Sequence, residues 1–174
     1  LTIISAIISL PFGIALALGR QSKINFIKNI CITYVDLMRS FPLITVLFFG
    51  QLLIPLFLPM EFEINRVVRA IMAFSLFTAS YIAEDIRGGL QSIPNSQREA
   101  SVVLGFSQSQ TIKLIVLPQA LRTALPAITN QFIGLMQNTS LMAYLGMIEL
   151  MGVGKSILSN PNFIGRYLEV YIWL

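Results

Sequence analysis

The sequence predicts an all-α, polytopic membrane protein, and three observations carry that prediction. Of its 174 residues, 55% are hydrophobic and 11% charged, against roughly 25% charged in an average soluble domain. The mean hydropathy is +0.75. The apolar residues also gather into uncharged runs of nineteen (1–19), twenty (41–60) and twenty-six (123–148) residues. Each is long enough to cross a hydrocarbon layer of about 30 Å at about 1.5 Å per residue. A soluble core of this size needs a polar exterior that the sequence lacks, so the excess apolar surface must face lipid.

Residues 1–19 form the first span. Pro11 and Gly13 within it predict a kink, which neighbouring helices make tolerable by covering the freed carbonyl. A signal peptide is excluded, because the run has no basic leading region and no cleavage-type site. Both ends, Leu1 and Leu174, fall inside apolar stretches and are expected to be cuts through a longer protein. Arg20, Lys23, Lys28 and Arg39 follow against one acid, Asp36. Asp36 and Arg39, three apart, predict an exposed helical ion pair worth a few tenths of a kcal/mol. The second span is 41–60, with Pro42 at its start and Pro55 and Pro59 near its end. Glu61, Glu63, Arg66 and Arg69 then make a short, charge-balanced loop. The third span is 67–83, with Arg69 snorkelling outward. A polar loop occupies 84–122 and opens with Glu84, Asp85 and Arg87, read as solvated anchors. The fourth span is 123–148. After the Gly-rich 146–154 stretch and Asn160-Pro161-Asn162, a partial fifth span covers 163–174.

Charge and composition exclude several functions. The net charge is +4, but the twelve Lys and Arg are spread singly, with no basic stripe for nucleic acid. Retention of positive residues on the cytoplasmic side explains them better: segments 20–39 and 84–122 carry eight, against four (Arg66, Arg69, Lys155, Arg166) on the other side. That count places the 84–122 loop in the cytoplasm. One cysteine, Cys31, and no histidine leave no disulfide and no evident metal site, and no catalytic residue is assigned. Gly152-Val153-Gly154-Lys155-Ser156 ends like a phosphate-binding loop, yet Glu149 stands where that motif needs glycine and would repel phosphates.

The polar loop is the most informative stretch. Ser96 and Glu99 have the spacing of a helix-capping pair. Gly105 permits a left-handed turn. Ser107 can cap a second short helix from Gln108 to about Val116, which Pro118 is expected to stop. The prediction is a helix–Gly–helix knob that a soluble partner can grip.

The order Glu99-Ala100-Ser101, three residues, Gly105, nine residues, Ile115-Val116-Leu117-Pro118 resembles the cytoplasmic loop signature of binding-protein-dependent ABC importer permeases. Spacing matches throughout, and the one departure is Ser101 for a second alanine. Serine is also small, so close approach of a partner is expected to survive. Tyr81-Ile82-Ala83-Glu84-Asp85-Ile86-Arg87-Gly88-Gly89-Leu90, Leu117–Arg122 and Asn138-Thr139-Ser140-Leu141 are similar to the polar amino-acid permeases of the histidine, glutamine and general L-amino-acid type. Arg39-Ser40-Phe41-Pro42-Leu43 resembles that family's Arg-Gly-Thr-Pro-Leu element with two substitutions. The resemblance implies a five-helix core like that of type I ABC importers in a bacterial inner membrane. The implied coupling residues are Glu99, Ala100, Ser101, Gly105, Ile115, Leu117 and Pro118. The implied partners are ABC ATPase subunits, a second permease subunit (identical or similar) and an extracytoplasmic amino-acid-binding protein. It also implies no cofactor on this chain, with ATP and Mg²⁺ handled by the ATPase.

Within the fourth span, Asn130, Gln131, Gly134 and the run Gln137, Asn138, Thr139 and Ser140 are too polar to face lipid. Asn130, Gly134 and Asn138 share one helical stripe. Two readings stand: hydrogen bonds that hold helices together, or a pathway that binds the ammonium and carboxylate of an amino acid. An ion-gradient-driven transporter or channel built on this tract alone is the alternative function, and it leaves the 99–118 spacing without a role.

Overall fold

The computed structural model describes residues 1–57, 59 and 64–174. Its main helices are α1 (Thr2–Gly19), α2 (Asn25–Ser40), α3 (Leu43–Phe57), α4 (Arg66–Ser92), α5 (Asn95–Val103), α6 (Gln108–Leu145), α7 (Leu150–Leu158) and α8 (Tyr167–Trp173). No strand occurs among the described residues, so the all-α expectation holds. The chain divides into two compact units, Leu1–Leu135 and Met136–Leu174. Glu61 and Glu63 of the expected charge-balanced loop, and Leu58 and Met60 of the expected second span, lie outside the described residues.

The polarity of α1 is inverted relative to a soluble helix. Ser5 and Ser9 are fully buried, while Ile3 and Ile7 are 75% and 67% exposed. Ser5, Ser9, Gly13 and Leu16–Ala17 recur about every four residues and so make one stripe. Small residues on that stripe let α1 lie close along α4, the packing expected where lipid supplies no hydrophobic drive between helices. A Cβ added at Gly13 would stand 2.6 Å from Ile82 Cγ2 and 3.1 Å from the Ala79 carbonyl oxygen. Ser5 donates across to Ile71 O of α4 (3.5 Å), whereas three other buried hydroxyls bond inside their own helices: Ser9 donates to Ala6 O (3.1 Å), Ser75 to Ile71 O and Ser80 to Phe77 O (both 2.6 Å). Large apolar side chains point out and small polar ones point in. That pattern reads as a membrane protein directly.

Among the described residues, three helices are long and apolar enough to cross a membrane: α1, α4 and α6. A fourth is obtained if α2 and α3, bent by 105° at Phe41-Pro42, count as one broken span. Proline sets that break. It holds Phe41 extended (ψ 145°) and itself sits at ψ 142°, outside the helical region. The stretch 163–174, expected as a partial fifth span, contains α8, seven residues beginning at Tyr167. α4 starts on an Asn65 cap, whose side-chain oxygen accepts from Val67 N at 2.8 Å. It runs on to Ser92, past the expected span end at Ala83, and the charges beyond Ala83 find partners on neighbouring helices.

Pro118 does not stop the second helix of the loop, which corrects the sequence expectation. The segment Thr111–Val116 is π-helical and runs straight into the α-helical body Leu117–Asn138. Leu117 N bonds back five residues to Ile112 O. This wider turn makes room for the proline ring, which in a tight α turn would strike a carbonyl. The same device occurs in α3: a π segment, Phe49–Leu53, stands just before Pro55. In both places a proline costs one turn of regularity and the helix survives.

The core of the first unit joins α1, α2, α4 and α6 through Leu16, Ala17, Val35, Ile82, Ile86 and Val116 with the alanines around them. In the second unit Glu149 caps α7, accepting from Met151 N and Gly152 N. Gly152–Ser156 is therefore helical rather than a phosphate-cradling loop.

Candidate functional site

The loop residues fold as a hairpin of α5, Gly105 and the start of α6. α5 begins at Asn95 behind Pro94, with no side-chain cap. Ser96 lies within the first turn and caps nothing, because Pro94, with fixed φ, occupies the entry position; the expected Ser96–Glu99 capping pair is not formed. The exit follows expectation. Gly105 is left-handed (φ +81°), its N–H bonds Val102 O (3.0 Å), and Phe106 N bonds Ser101 O (3.0 Å). These two bonds are those of a Schellman stop. Ser107 then starts α6 with a reciprocal capping box: Gln110 N donates to Ser107 Oγ (3.3 Å) and Ser107 N to Gln110 Oε1 (2.8 Å).

Ser101 is where structure corrects sequence most usefully. It offers no small surface to a partner, because it is 1% exposed and turned into the hairpin. Its hydroxyl donates to Arg98 O (2.6 Å), so Thr111 Oγ1, 2.8 Å away, donates to Ser101 Oγ. The pair braces the α5 helix against the π-helical start of α6. We expect Ser101→Ala and Thr111→Val each to cost about 1 kcal/mol of thermal stability in detergent, since either leaves a buried hydroxyl without its partner or removes the bond. The double variant should cost no more than either single one, and additive losses in this double-mutant cycle would refute the brace.

The outer face of the hairpin is what remains for a partner. Glu99 and Ala100 are exposed, and beside them Val102, Val103 and Leu104 are 68%, 86% and 73% exposed. An apolar patch at the tip of a polar loop calls for a protein surface to cover it. Sequence reading missed these three, although an apolar triplet in an otherwise polar loop was visible. Ile115 and Leu117 are half-buried at the root of α6 and Pro118 is exposed. The motif thus divides into an outward part (Glu99, Ala100), a structural part (Ser101, Gly105) and a root (Ile115, Leu117, Pro118).

A charge cluster joins α1, α2 and α4. Glu84 receives Arg20 Nη1 at 2.9 Å, Arg39 Nη1 at 3.4 Å and Arg87 through both Nε and Nη2. Asp36 adds a weaker pair to Arg20 at 3.7 Å, and Arg39 also lies 5.4 Å from the Tyr81 ring centroid. Asp36 and Arg39 therefore pair with other helices and not with each other, contrary to the sequence expectation. Their side chains leave α2 at different angles, and each finds a less solvated partner. Glu84 and Arg87 are likewise not free anchors: the cluster ties α1, α2 and α4 together. Asp85, one residue on, accepts from Gln131 Nε2 at 3.0 Å and links α4 to α6.

Of the polar residues that the sequence singled out in the fourth span, Gln131 is the one, among the described residues, with an interhelical partner. Asn130 is exposed, and Gly134 has open space where a Cβ would stand. In the second unit, Gln137 and Asn138 are exposed, while Thr139 and Ser140 bond to their own turn at Met136 O and Gln137 O. Gln131 matches the helix-holding reading; the exposed amides are left for another surface or a solute.

The fold and this site define a helical membrane protein with an exposed hairpin ahead of its longest apolar helix. A family model for the binding-protein-dependent transport system inner membrane component matches residues 9–164. The chain belongs to that family. It is 41% identical over 169 residues to the glutamate/glutamine/aspartate/asparagine transport system permease protein BztC of Rhodobacter capsulatus, covering 97% of this chain and 39% of that protein. It is 35% identical to the glutamate/aspartate import permease protein GltK of Escherichia coli O6:H1, covering 90% of this chain and 72% of that one. The crystal structure of an amino acid ABC transporter with histidines superposes with a TM-score of 0.83 at 27% identity, covering 98% of this chain and 77% of that one. The chain spans about two fifths of the length of BztC and 45% of the inner membrane amino-acid ABC transporter permease protein YhdY of Escherichia coli K12, to which it is 36% identical over 95% of its own length.

Proposed function

We propose that this chain is the permease core of an ATP-driven importer of amino acids, coupled through the 99–118 hairpin to a separate ATPase subunit. One observation carries the reading: a rigid hairpin, closed by Gly105 and the Ser107 cap, displays Glu99, Ala100 and the apolar Val102–Leu104 tip on a loop too polar to enter the bilayer. Relatives whose names specify acidic amino acids and their amides point to a polar amino acid as the solute. The ATPase binds and hydrolyses ATP with Mg²⁺; its closure pushes the hairpin, and because α6 is continuous from Gln108 the push reaches the membrane directly. A second permease subunit completes the pathway beside the half-buried Gly134 and the exposed Asn130, Gln137 and Asn138, and an extracytoplasmic binding protein delivers the solute. The positive-residue count puts the hairpin in the cytoplasm.

The test is uptake of labelled glutamate, glutamine and other amino acids into proteoliposomes holding the complete complex. Gly105→Pro forces φ from +81° to about −65° and destroys the Schellman stop; Glu99→Lys reverses an exposed charge. We expect uptake to require internal ATP, and both variants to lose uptake together with ATPase binding. Uptake driven by a proton or sodium gradient alone, with both variants silent, would make the hairpin a plain connector and favour a secondary transporter.

A further inference from the structure

We propose that the groove between the α1–α2 turn and the start of α6 binds the phosphate headgroup of an anionic phospholipid. The groove has a volume of about 610 Å³. Lys23 and Lys113 line it together with Ser22, and Leu18, Ile27 and Ile112 form its apolar wall; no carboxylate lines it. Neither lysine makes an ion pair among the described residues, where every ion pair is an arginine's. Two unpaired cations on one concave surface repel each other, and a shared anion removes that repulsion. The Ser22 oxygen accepts from Ile24 N (3.1 Å), which leaves its hydroxyl proton to donate.

Position selects the source of the anion. The groove sits where the apolar run of α1 ends at Gly19, the membrane–water boundary. From it lead Ile24, just ahead of α2, and Phe26, Ile27 and Ile30 on α2, which are 59%, 74%, 42% and 51% exposed. A soluble phosphate uses only the lysines. A phospholipid uses both features, its phosphate between Lys23 and Lys113 and its acyl chains along α2. Basic pockets between membrane helices bind anionic headgroups in this way, with about 1 kcal/mol per lysine near the surface. Because the second lysine belongs to α6, a bound headgroup also clasps the root of the hairpin to α1. The inference rests on the membrane assignment and not on the coupling reading, so transport failure and lipid failure are separate results.

The experiment is native mass spectrometry of the purified full-length permease, titrated in micelles with phosphatidylglycerol or phosphatidylcholine, with inorganic phosphate as competitor. We expect retained phosphatidylglycerol but not phosphatidylcholine, with affinity falling about five-fold in Lys23→Gln and in Lys113→Gln and about twenty-fold in the pair. Lys28→Gln, an equal charge loss on α2 outside the groove, should change nothing. Thermal melts establish that each variant is folded, and the single variants carry the test if the pair is not. Equal loss in Lys28→Gln would show diffuse charge attraction and overturn the site. Unchanged binding in the Lys23 and Lys113 variants would do so too, as would displacement of the lipid by millimolar phosphate. Loss of the ATPase subunit with lipid retention intact would reassign the groove to that partner.

Discussion

Gly89→Ala should collapse the stability of the permease, while Gly88→Ala, one residue earlier, should leave it unharmed or slightly improved. At Gly89 an added Cβ falls within the van der Waals envelope of the Ala120 carbonyl oxygen, 3.2 Å from the Ala120 carbonyl carbon and 3.3 Å from Ala124 Cβ. The nearest obstacle is backbone, which cannot rotate away as a side chain can. α4 and α6 must then separate, and the core residues Ile86, Leu90, Val116 and Ala120 lose contact together. We expect a loss of about 3 kcal/mol, at the upper end for overpacking, and more for Gly89→Val. At Gly88 nothing lies within 4 Å, so alanine brings only its better helix propensity, up to about 1 kcal/mol. Yield and thermal unfolding in one detergent decide the matter. Similar behaviour of the two variants would mean that α4 and α6 do not meet at Gly89.

This pair of glycines also shows what could be read from the sequence and what could not. Gly88-Gly89 stood in plain view, but helical periodicity alone does not say which of two adjacent glycines faces another backbone. Membrane class, helical content and the Gly105 turn were legible because each depends on local chemistry: hydropathy, run length and a conformation that glycine favours. The Ser107 cap was legible for the same reason. The ends of helices were less so. Hydropathy ended the third span at Ala83, where charge begins, and did not show that the helix itself runs on through Glu84, Asp85 and Arg87, whose partners Arg20, Arg39 and Gln131 arrive from far along the chain. Pro118 was read by its usual effect, and the π-helical turn that accommodates it leaves no mark in the residues before it. Ser101 looked like a neutral exchange for alanine until Thr111 was found opposite. In each case the missing knowledge was a partner distant in sequence.

The second large effect should follow from Glu84→Gln. This change keeps the shape of the side chain and removes the one charge on which Arg20, Arg39 and Arg87 converge. Asp36, 59% exposed and 3.7 Å from Arg20, is too far and too solvated to replace it. Three guanidinium groups are then left close together with no shared counter-ion, and the three helices they anchor are pushed apart. Removing one partner of a fully buried ion pair costs about 3–5 kcal/mol. Here the side chains retain 15% to 37% exposure, so water screens part of the repulsion and we expect about 2 kcal/mol. Salt makes the test sharper than stability alone. In the native protein added salt weakens an attractive cluster and should lower the melting temperature. In Glu84→Gln it screens repulsion and should raise it. Adding Arg39→Gln to Glu84→Gln should recover part of the loss, because it removes one of the repelling charges. If the variant melts like the native protein and responds to salt in the same direction, the arginines are independently solvated. α1, α2 and α4 would then be held by packing around Ile82 and Ile86 alone, with the charges contributing nothing.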